Sequence, residues 1–148
     1  MIVGCIPEWQ DKILLCRRAI QPRLGFWTLP AGFLENNETT QEGALRETKE
    51  EANASATIID VFSLIDIPHI NQVYLLYRAK LKDENFSATF ESSEVALFDE
   101  ASIPWDDIAF AAIKKSLKRY FNDRRNGTFS LHAETINVST LKNYKIGS

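Results

Sequence analysis

The chain has 148 residues, enough for one domain with a full-sized hydrophobic core, and its 45% hydrophobic and 25% charged residues are typical of a soluble globular protein. The formal net charge of -3 argues against broad attraction to nucleic acid or to an anionic membrane. Any bound phosphate must therefore be neutralised locally, by a few Arg or Lys residues or by metal ions. With no secretory signal and no apolar run long enough to span a bilayer, we expect a cytoplasmic protein.

The first third of the chain is predicted to form short strands separated by loops. Residues 1–6, 13–16 and 26–29 have the composition of strands, with a turn at 11–12 and an irregular loop at 32–37. The two cysteines, Cys5 and Cys16, each lie within or beside an apolar run. We expect buried free thiols, because free Cys behaves as a small hydrophobe. A disulfide or a metal pair is the alternative, against which the missing Cys and His partners argue.

The best-defined element is a helix over residues 40–52. Thr39 and Glu42 have the spacing of a capping box, in which each side chain accepts a hydrogen bond from the other residue's backbone N–H. Asn53 suits the left-handed conformation that commonly ends a helix. We therefore expect this helix to begin and end close to these residues.

The remainder is predicted to hold further strands and a second helix. Strands are expected at 56–64 and 73–81, with a strand or two in 87–98, separated by loops at 66–71 and 82–86. The second helix is expected over about 106–121, with Asp106 and Asp107 near its N-terminus. Residues 122–148 show no clear pattern, although 129–131 could form an edge strand. We expect one domain over residues 1–146, with Gly147 and Ser148 excluded as a cloning remnant, and a mixed sheet flanked by helices.

The first helix carries a dense acidic cluster. Glu50 and Glu51 follow Glu47 by three and four residues, so the three side chains project together and repel one another. A hard cation such as Mg²⁺ or Mn²⁺ would compensate this repulsion, because such ions prefer carboxylate oxygen. The alternative is a solvated acidic face paired to Arg46 and Lys49, in which Arg46 and Glu50 form an i,i+4 pair.

The residues around this cluster form a longer pattern. Gly32 is followed after five residues by Glu38, after seven more by Arg46 and Glu47, and after two more by Glu50 and Glu51. This pattern resembles the defining box of the Nudix hydrolases, a loop-helix-loop that binds metal and a diphosphate. The resemblance implies a Nudix-type α/β/α sandwich. Two positions depart from the box, since Thr48 replaces an aliphatic residue and Asn53 replaces a glycine.

The resemblance also implies roles for the residues of the box. Glu47, Glu50 and Glu51 would hold the metal with the Ala31 carbonyl, and Glu47 or Glu51 could serve as the base. Arg46 would orient the glutamates, and Glu38 would support the loop or contribute to a metal site. Nudix enzymes often take a further acid from a loop outside the box, for which Glu91, slightly preferred, and Glu94 are the candidates. A charged surface loop is the alternative for these two residues.

Features outside the box bear on the substrate. Pro68 lies 15 residues after Asn53, near the spacing of the ADP-ribose pyrophosphatase branch, and residues 25–32 and 66–68 are similar to a bacterial and plastid group for ADP-ribose and FAD. An ordinary turn is the alternative for Pro68. Many bacterial members carry an N-terminal zinc ribbon, which we expect to be absent here or removed. The candidate substrate-binding residues are Arg17, Arg18, Arg23, Trp27, Pro68 and Gln72.

Each of these contacts has an alternative. The arginines could form a solvated basic loop, and Trp27 could pack in the core instead of stacking on a base. His69 and His132 are expected to be incidental, because neither lies in a recognisable nucleophile motif.

The resemblance favours hydrolysis of the pyrophosphate bond of ADP-ribose or FAD with Mg²⁺ or Mn²⁺, releasing AMP. The alternatives are a house-cleaning nucleoside triphosphate pyrophosphatase and a Nudix-fold ADP-ribose sensor without catalysis. The expected partner is therefore a nucleotide-type small molecule, with no nucleic acid and no membrane. A homodimer is also expected from the resemblance.

Overall fold

A computed structural model of the chain describes residues 1–137. The strands in this range are β1 Ile2–Trp9, β2 Lys12–Arg18, β3 Trp27–Thr28, β4 Ala31–Phe33, β5 Ala56–Ile67, β6 Gln72–Leu81, β7 Ser92–Phe98 and β8 His132–Thr135. The α-helices are α1 Thr40–Ala52 and α2 Ala111–Asn126, and single turns of 3-10 helix occupy Pro68–Ile70, Glu100–Ser102 and Trp105–Asp107. Gly147 and Ser148, interpreted above as a cloning remnant, lie outside the described residues.

The strands form one mixed sheet. Its order is β3-β2-β1-β6-β5-β8, with β4 paired to β1 and β7 paired to β2. The pairs β1–β6 and β5–β8 are parallel, and the other pairs are antiparallel. β1 changes neighbour along its length, because its start pairs with β4 and its end with β2. This exchange brings β4, and with it the start of the box, beside the first residues of β1.

Each face of the sheet carries one helix. Along β1, Ile2 and Ile6 point into the core that contains Ile113 and Leu117 of α2. Val3 and Cys5 point into the other core, which contains Ala44 and Ala52 of α1. Successive side chains of a strand point to opposite faces, so β1 contributes to both cores. The α/β/α sandwich with a mixed sheet is confirmed.

The two cysteines are buried free thiols, as expected. No helix within residues 1–137 has both the length and the apolar character needed to cross a membrane.

Helix α1 begins and ends as the sequence predicts. The Thr39 hydroxyl accepts from the Glu42 N–H at 3.0 Å, and the Glu42 carboxylate accepts from the Thr39 N–H at 2.8 Å. Asn53 adopts φ 53° and ψ 28°, the left-handed conformation. Thr48 is fully buried, with its hydroxyl bonded to the Ala44 carbonyl at 2.9 Å. The fold therefore accommodates both departures from the box.

Helix α2 begins later and ends later than predicted. Asp106 and Asp107 lie in a separate 3-10 turn and not at the N-terminus of α2. The chain is extended at Ile108, which bridges to Trp27, and the Ala109 N–H donates to the Trp27 carbonyl. This attachment to β3 interrupts the helical path until Ala111. The helix then runs to Asn126, and Gly127 ends it with φ 76°.

Three loop and strand predictions were also wrong in part. The edge strand lies at β8 and not at 129–131, because Phe129 packs in the core and the Ser130 N–H donates to Asp123. The predicted loop at 66–71 is mostly a continuation of β5 through Ile67 and one 3-10 turn. The loop at 32–37 begins inside β4, which pairs with β1.

Candidate active site

A cleft of about 460 Å³ opens between α1, the start of β1 and the start of α2. This volume lies in the range of small-molecule sites, roughly 300–1,000 Å³. The lining residues are Ile2, Arg18, Ile20, Pro22, Thr28, Ala31, Gly32, Phe33, Glu47, Glu51, Gln72, Tyr74, Glu91, Phe110 and Ile113. Carboxylates and apolar side chains therefore share one cleft.

Two glutamates of the box are buried in this cleft. Glu47 is 8% exposed and Glu51 is 6% exposed, and their spacing places them on one face of α1. Glu50 differs from them, because its side chain is 53% exposed and it does not line the cleft. The alternative that these glutamates form a solvated acidic face of the helix is therefore wrong for Glu47 and Glu51, whereas it describes Glu50.

Among the carboxyl groups in the cleft, Glu51 has the pKa that is shifted furthest from its ordinary value. Its Oε2 is buried and has no hydrogen-bond partner among residues 1–137. Burial, followed by the charge of Glu47, raises the pKa of Glu51 from 4.5 to about 9. Burial also raises the pKa of Glu47, against the hydrogen bond from Arg46. A buried oxygen without a donor is costly, so the cleft favours a positive partner there.

Arg46 donates hydrogen bonds to three glutamates of the box. Its Nε donates to Glu38 Oε2 at 3.0 Å and its Nη2 to Glu38 Oε1 at 2.7 Å, a bidentate pair. Its Nη1 donates to Glu47 Oε1 at 2.8 Å and to Glu50 Oε2 at 3.0 Å. The predicted i,i+4 pair between Arg46 and Glu50 is thus present.

Glu38 holds the loop before α1 and does not line the cleft. Its carboxylate also accepts from the Glu35 N–H at 2.8 Å, which fixes the loop around Arg46. The hydrogen bonds from Arg46, followed by that from Glu35, lower the pKa of Glu38 to about 2. The placement of Glu38 therefore matches loop support, one of the two roles considered from the sequence.

The two acids outside the box lie in different surroundings. Glu91 lines the cleft, and its charge contributes to the raised pKa of both Glu47 and Glu51. Glu94 instead pairs with Arg17 at 2.9 Å and does not line the cleft. Of the two candidates, the geometry brings only Glu91 to the carboxylates of α1.

The candidate substrate-binding residues separate in the same way. Arg18 and Gln72 line the cleft, whereas Arg17, Arg23, Trp27 and Pro68 do not. The Arg18 Nε donates to the Pro22 carbonyl at 2.7 Å, and its guanidinium lies 5.1 Å from the centre of the Phe110 ring. Among the residues of 1–137 that line the cleft, Arg18 carries the one permanent positive charge.

The four candidates outside the cleft are held by other contacts. Arg17 Nε donates to the Gly25 carbonyl at 2.9 Å, and Arg23 Nε to the Ala109 carbonyl at 3.1 Å. Trp27 packs edge-on against Phe98, with ring centroids 5.0 Å apart, and Pro68 begins an exposed turn. For Trp27, the structure shows core packing, the alternative considered from the sequence.

Sequence reasoning missed the apolar half of the cleft. Phe33, Tyr74, Phe110 and Ile113 all line it. Apolar residues on strands and helices have the same pattern whether they fill a core or line a cleft, so periodicity could not distinguish them. The exposure of Phe33, at 66%, is visible only in the structure.

The carboxylates present fit a divalent cation. The unpaired Glu51 oxygen and the carboxyl groups of Glu47 and Glu91 line the same cleft and supply oxygen ligands. Within residues 1–137, no group of three or more His, Cys, Asp or Glu side chains is arranged so that it could hold a metal ion. Mg²⁺ commonly binds through one or two carboxylates and completes its coordination with waters and phosphate oxygens, so Glu47 and Glu51 fit a site that substrate phosphates would complete.

Comparison with known proteins places this chain in a family. Residues 1–123 match the model of the NUDIX domain. The chain is 57% identical to a NUDIX hydrolase from Nitrosomonas europaea whose crystal structure superposes with a TM-score of 0.90, covering 92% of this chain and 77% of that one.

Two curated proteins are more distant. An ADP-ribose pyrophosphatase of Methanocaldococcus jannaschii is 30% identical over 69% of this chain and 63% of its own length. The Nudix hydrolase YvcI of Bacillus subtilis is 25% identical over 72% of this chain and 65% of its own length. The chain thus spans slightly less than two thirds of the length of both.

Proposed function

This chain belongs to the Nudix hydrolase family, and we propose that it hydrolyses the diphosphate bond of a nucleoside diphosphate linked to a second group. The observation that carries the proposal is the buried, unpaired oxygen of Glu51 beside Glu47 in a cleft that is otherwise largely apolar. We propose ADP-ribose and FAD as the first substrates to test. Their products would be AMP with ribose 5-phosphate, and AMP with FMN.

The residues that would hold Mg²⁺ or Mn²⁺ are Glu47, Glu51 and Glu91, with the Ala31 carbonyl and with Glu50 at the edge of the site. A bound divalent cation supplies charge neutralisation at the diphosphate and a water of lowered pKa. Arg46 orients the Glu47 carboxylate, because its Nη1 donates to Glu47 Oε1. The Arg46 guanidinium is itself held in place, since its Nε and Nη2 donate to Glu38 and its Nη2 also donates to the Phe33 carbonyl. The burial of Glu47 and Glu51 excludes bulk water and strengthens their interaction with any cation in the cleft.

Other residues of the cleft lining would bind the organic portion of the substrate. Arg18 is placed to donate to a phosphate or ribose oxygen, since its guanidinium has hydrogen-bonding capacity beyond the Pro22 carbonyl. Phe33 and Phe110 offer aromatic surface for a planar ring system. The similarity to an ADP-ribose pyrophosphatase supports this substrate class.

A substrate panel tests the proposal. Purified protein with Mg²⁺ would be given ADP-ribose, FAD, other nucleoside diphosphate derivatives and nucleoside triphosphates, with products identified by mass. We expect AMP from ADP-ribose or FAD, and its loss in Glu51→Gln. Pyrophosphate release from triphosphates instead would favour the house-cleaning alternative. No turnover of any diphosphate-linked nucleoside at high enzyme concentration would overturn the proposal.

A further inference from the structure

The segment that carries Glu91 is attached to the C-terminal end of α1. The Ser87 N–H donates to the Ala52 carbonyl at 2.9 Å, and the Thr89 hydroxyl donates to the Glu51 carbonyl at 3.2 Å. These carbonyls belong to the last turn of the helix, where no intrahelical N–H is available to them. The segment between β6 and β7 therefore completes the hydrogen bonding of the helix that carries Glu47 and Glu51.

Asn53 adds side-chain bonds to this attachment. Its Nδ2 donates to the Ser87 hydroxyl at 2.8 Å and to the Ala88 carbonyl at 3.4 Å. The left-handed backbone of Asn53 ends the helix, and the same residue binds the segment that follows β6. A glycine would satisfy the left-handed backbone at least as well but would make neither side-chain bond.

From this segment the bonds continue to Glu91. The Thr89 hydroxyl accepts from the Glu91 N–H at 3.2 Å, and the Glu91 carbonyl accepts from the Ala19 N–H at 2.9 Å. A chain of hydrogen bonds thus runs from α1 through Thr89 to Glu91, at the rim of the cleft.

We propose that Asn53 is a positioning residue: its side-chain amide holds the segment 87–91 against α1 and so places Glu91 opposite Glu47 and Glu51. This inference rests on the proposed function, in which Glu91 contributes to the cation site. Asn53, which replaces the glycine of the box, would thus have a role that glycine cannot fulfil. A purely conformational role for Asn53 would require only the left-handed backbone.

The variant Asn53→Gly separates the two roles. It keeps the left-handed conformation and removes both side-chain bonds, so the fold is expected to be retained. The matched control is Asn71→Gly, the same change at another left-handed residue, with φ 53°, which ends the turn between β5 and β6.

Hydrogen exchange of the metal-free protein gives the first measurement. In Asn53→Gly the amides of Ser87 and Glu91 should exchange several-fold faster than in wild type, and Asn71→Gly should leave them unchanged. Unchanged exchange in Asn53→Gly would overturn the inference.

The second measurement is the affinity for Mn²⁺, determined by titration without substrate. Asn53→Gly should weaken binding roughly tenfold, as expected when a supporting partner of a ligand is removed. In a Glu91→Gln background the same substitution should have no further effect, because the residue it positions has lost its charge.

The outcomes distinguish this inference from the proposed function. Weaker Mn²⁺ binding in Glu91→Gln but not in Asn53→Gly would overturn the positioning role and leave the proposed cation site intact. Unchanged Mn²⁺ binding in Glu91→Gln would overturn the role of Glu91 and, with it, this inference. Equal losses from Asn53→Gly in both backgrounds would show a general destabilisation and would also contradict it.

Discussion

Gly32 lies directly against the carboxylate of Glu47, so that a Cβ at position 32 would stand 2.5 Å from Glu47 Oε1. No side chain larger than hydrogen fits there unless the carboxylate moves. The glycine of the box thus allows a buried glutamate of α1 to contact the backbone of β4, where the candidate cation site lies.

The variant Gly32→Ala should displace the Glu47 carboxylate while leaving the fold intact. The atoms that the methyl group would meet are the end of a flexible side chain, so the backbone need not shift. Because a misplacement of about 1 Å in a catalytic group can lower activity on the order of a hundredfold, we expect a loss of that size in kcat/KM.

Steady-state kinetics of the double variant provide the control. In a Glu47→Ala background, Gly32→Ala should have no further effect, since the displaced group is already absent. An additive loss would show that Gly32 matters for a reason unrelated to Glu47.

The metal-free protein should lose stability as the pH rises from about 4.5 to about 9. The pKa of Glu51 is raised from 4.5 to about 9, so in this window the native state retains a proton that the unfolded chain has released. The contribution of Glu51 to the free energy of unfolding therefore falls with increasing pH, by up to about 1.4 kcal/mol per pH unit, and this contribution is fully present only below pH 4.5.

Thermal denaturation in EDTA at a series of pH values measures this effect. Glu51→Gln, which cannot ionise, should show a much flatter dependence than wild type between pH 5 and 9, since Glu47 contributes a smaller dependence of the same sign. Addition of Mg²⁺ should restore most of the stability of the wild type at high pH. Parallel profiles of wild type and Glu51→Gln would contradict the environment described for Glu51.

The neighbouring residues Arg17 and Arg18 should differ in their effect on substrate binding. Arg18 lines the cleft, whereas Arg17 pairs with Glu94 outside it. Loss of a hydrogen bond to a charged group weakens an interaction by about 1.5–3 kcal/mol. Arg18→Gln should therefore raise KM for ADP-ribose at least about tenfold, with a smaller effect on kcat.

Arg17→Gln is the matched control, because it makes the same change one residue away. It should alter KM less than twofold, as expected for an exposed ion pair. Equal effects of the two substitutions on KM would exclude a specific contact by Arg18.

The sequence predicted the parts of this molecule that depend on local chemistry. The capping box of Thr39 and Glu42 and the left-handed Asn53 are properties of a short segment, and both are present as predicted. These two features needed no knowledge of distant contacts. The sandwich, in contrast, was implied by the resemblance of the residues from Gly32 to Glu51 to the Nudix box.

The parts that were not predicted depend on distant contacts. The start of α2 is delayed because Ile108 bridges to Trp27, a partner far away in the chain. The distinction between Glu91 and Glu94 depends on how the segment after β6 folds onto α1. The distinction between Glu50 and Glu51 depends on burial. The exposed Glu50 pairs with Arg46, whereas a buried oxygen of Glu51 has no hydrogen-bond partner in the described part of the chain.

In the function proposed above, the buried carboxylates of Glu47 and Glu51 form a site for a divalent cation. A titration with Mn²⁺ tests this cation site without any substrate. The electron paramagnetic resonance signal of free Mn²⁺ monitors how much of the ion is bound. Glu100→Gln serves as the control, because that carboxylate pairs with Arg125 outside the cleft. Saturable binding by wild type and by Glu100→Gln, weakened at least about tenfold in Glu51→Gln, is the predicted result. Identical titration curves for wild type and Glu51→Gln would contradict the claim.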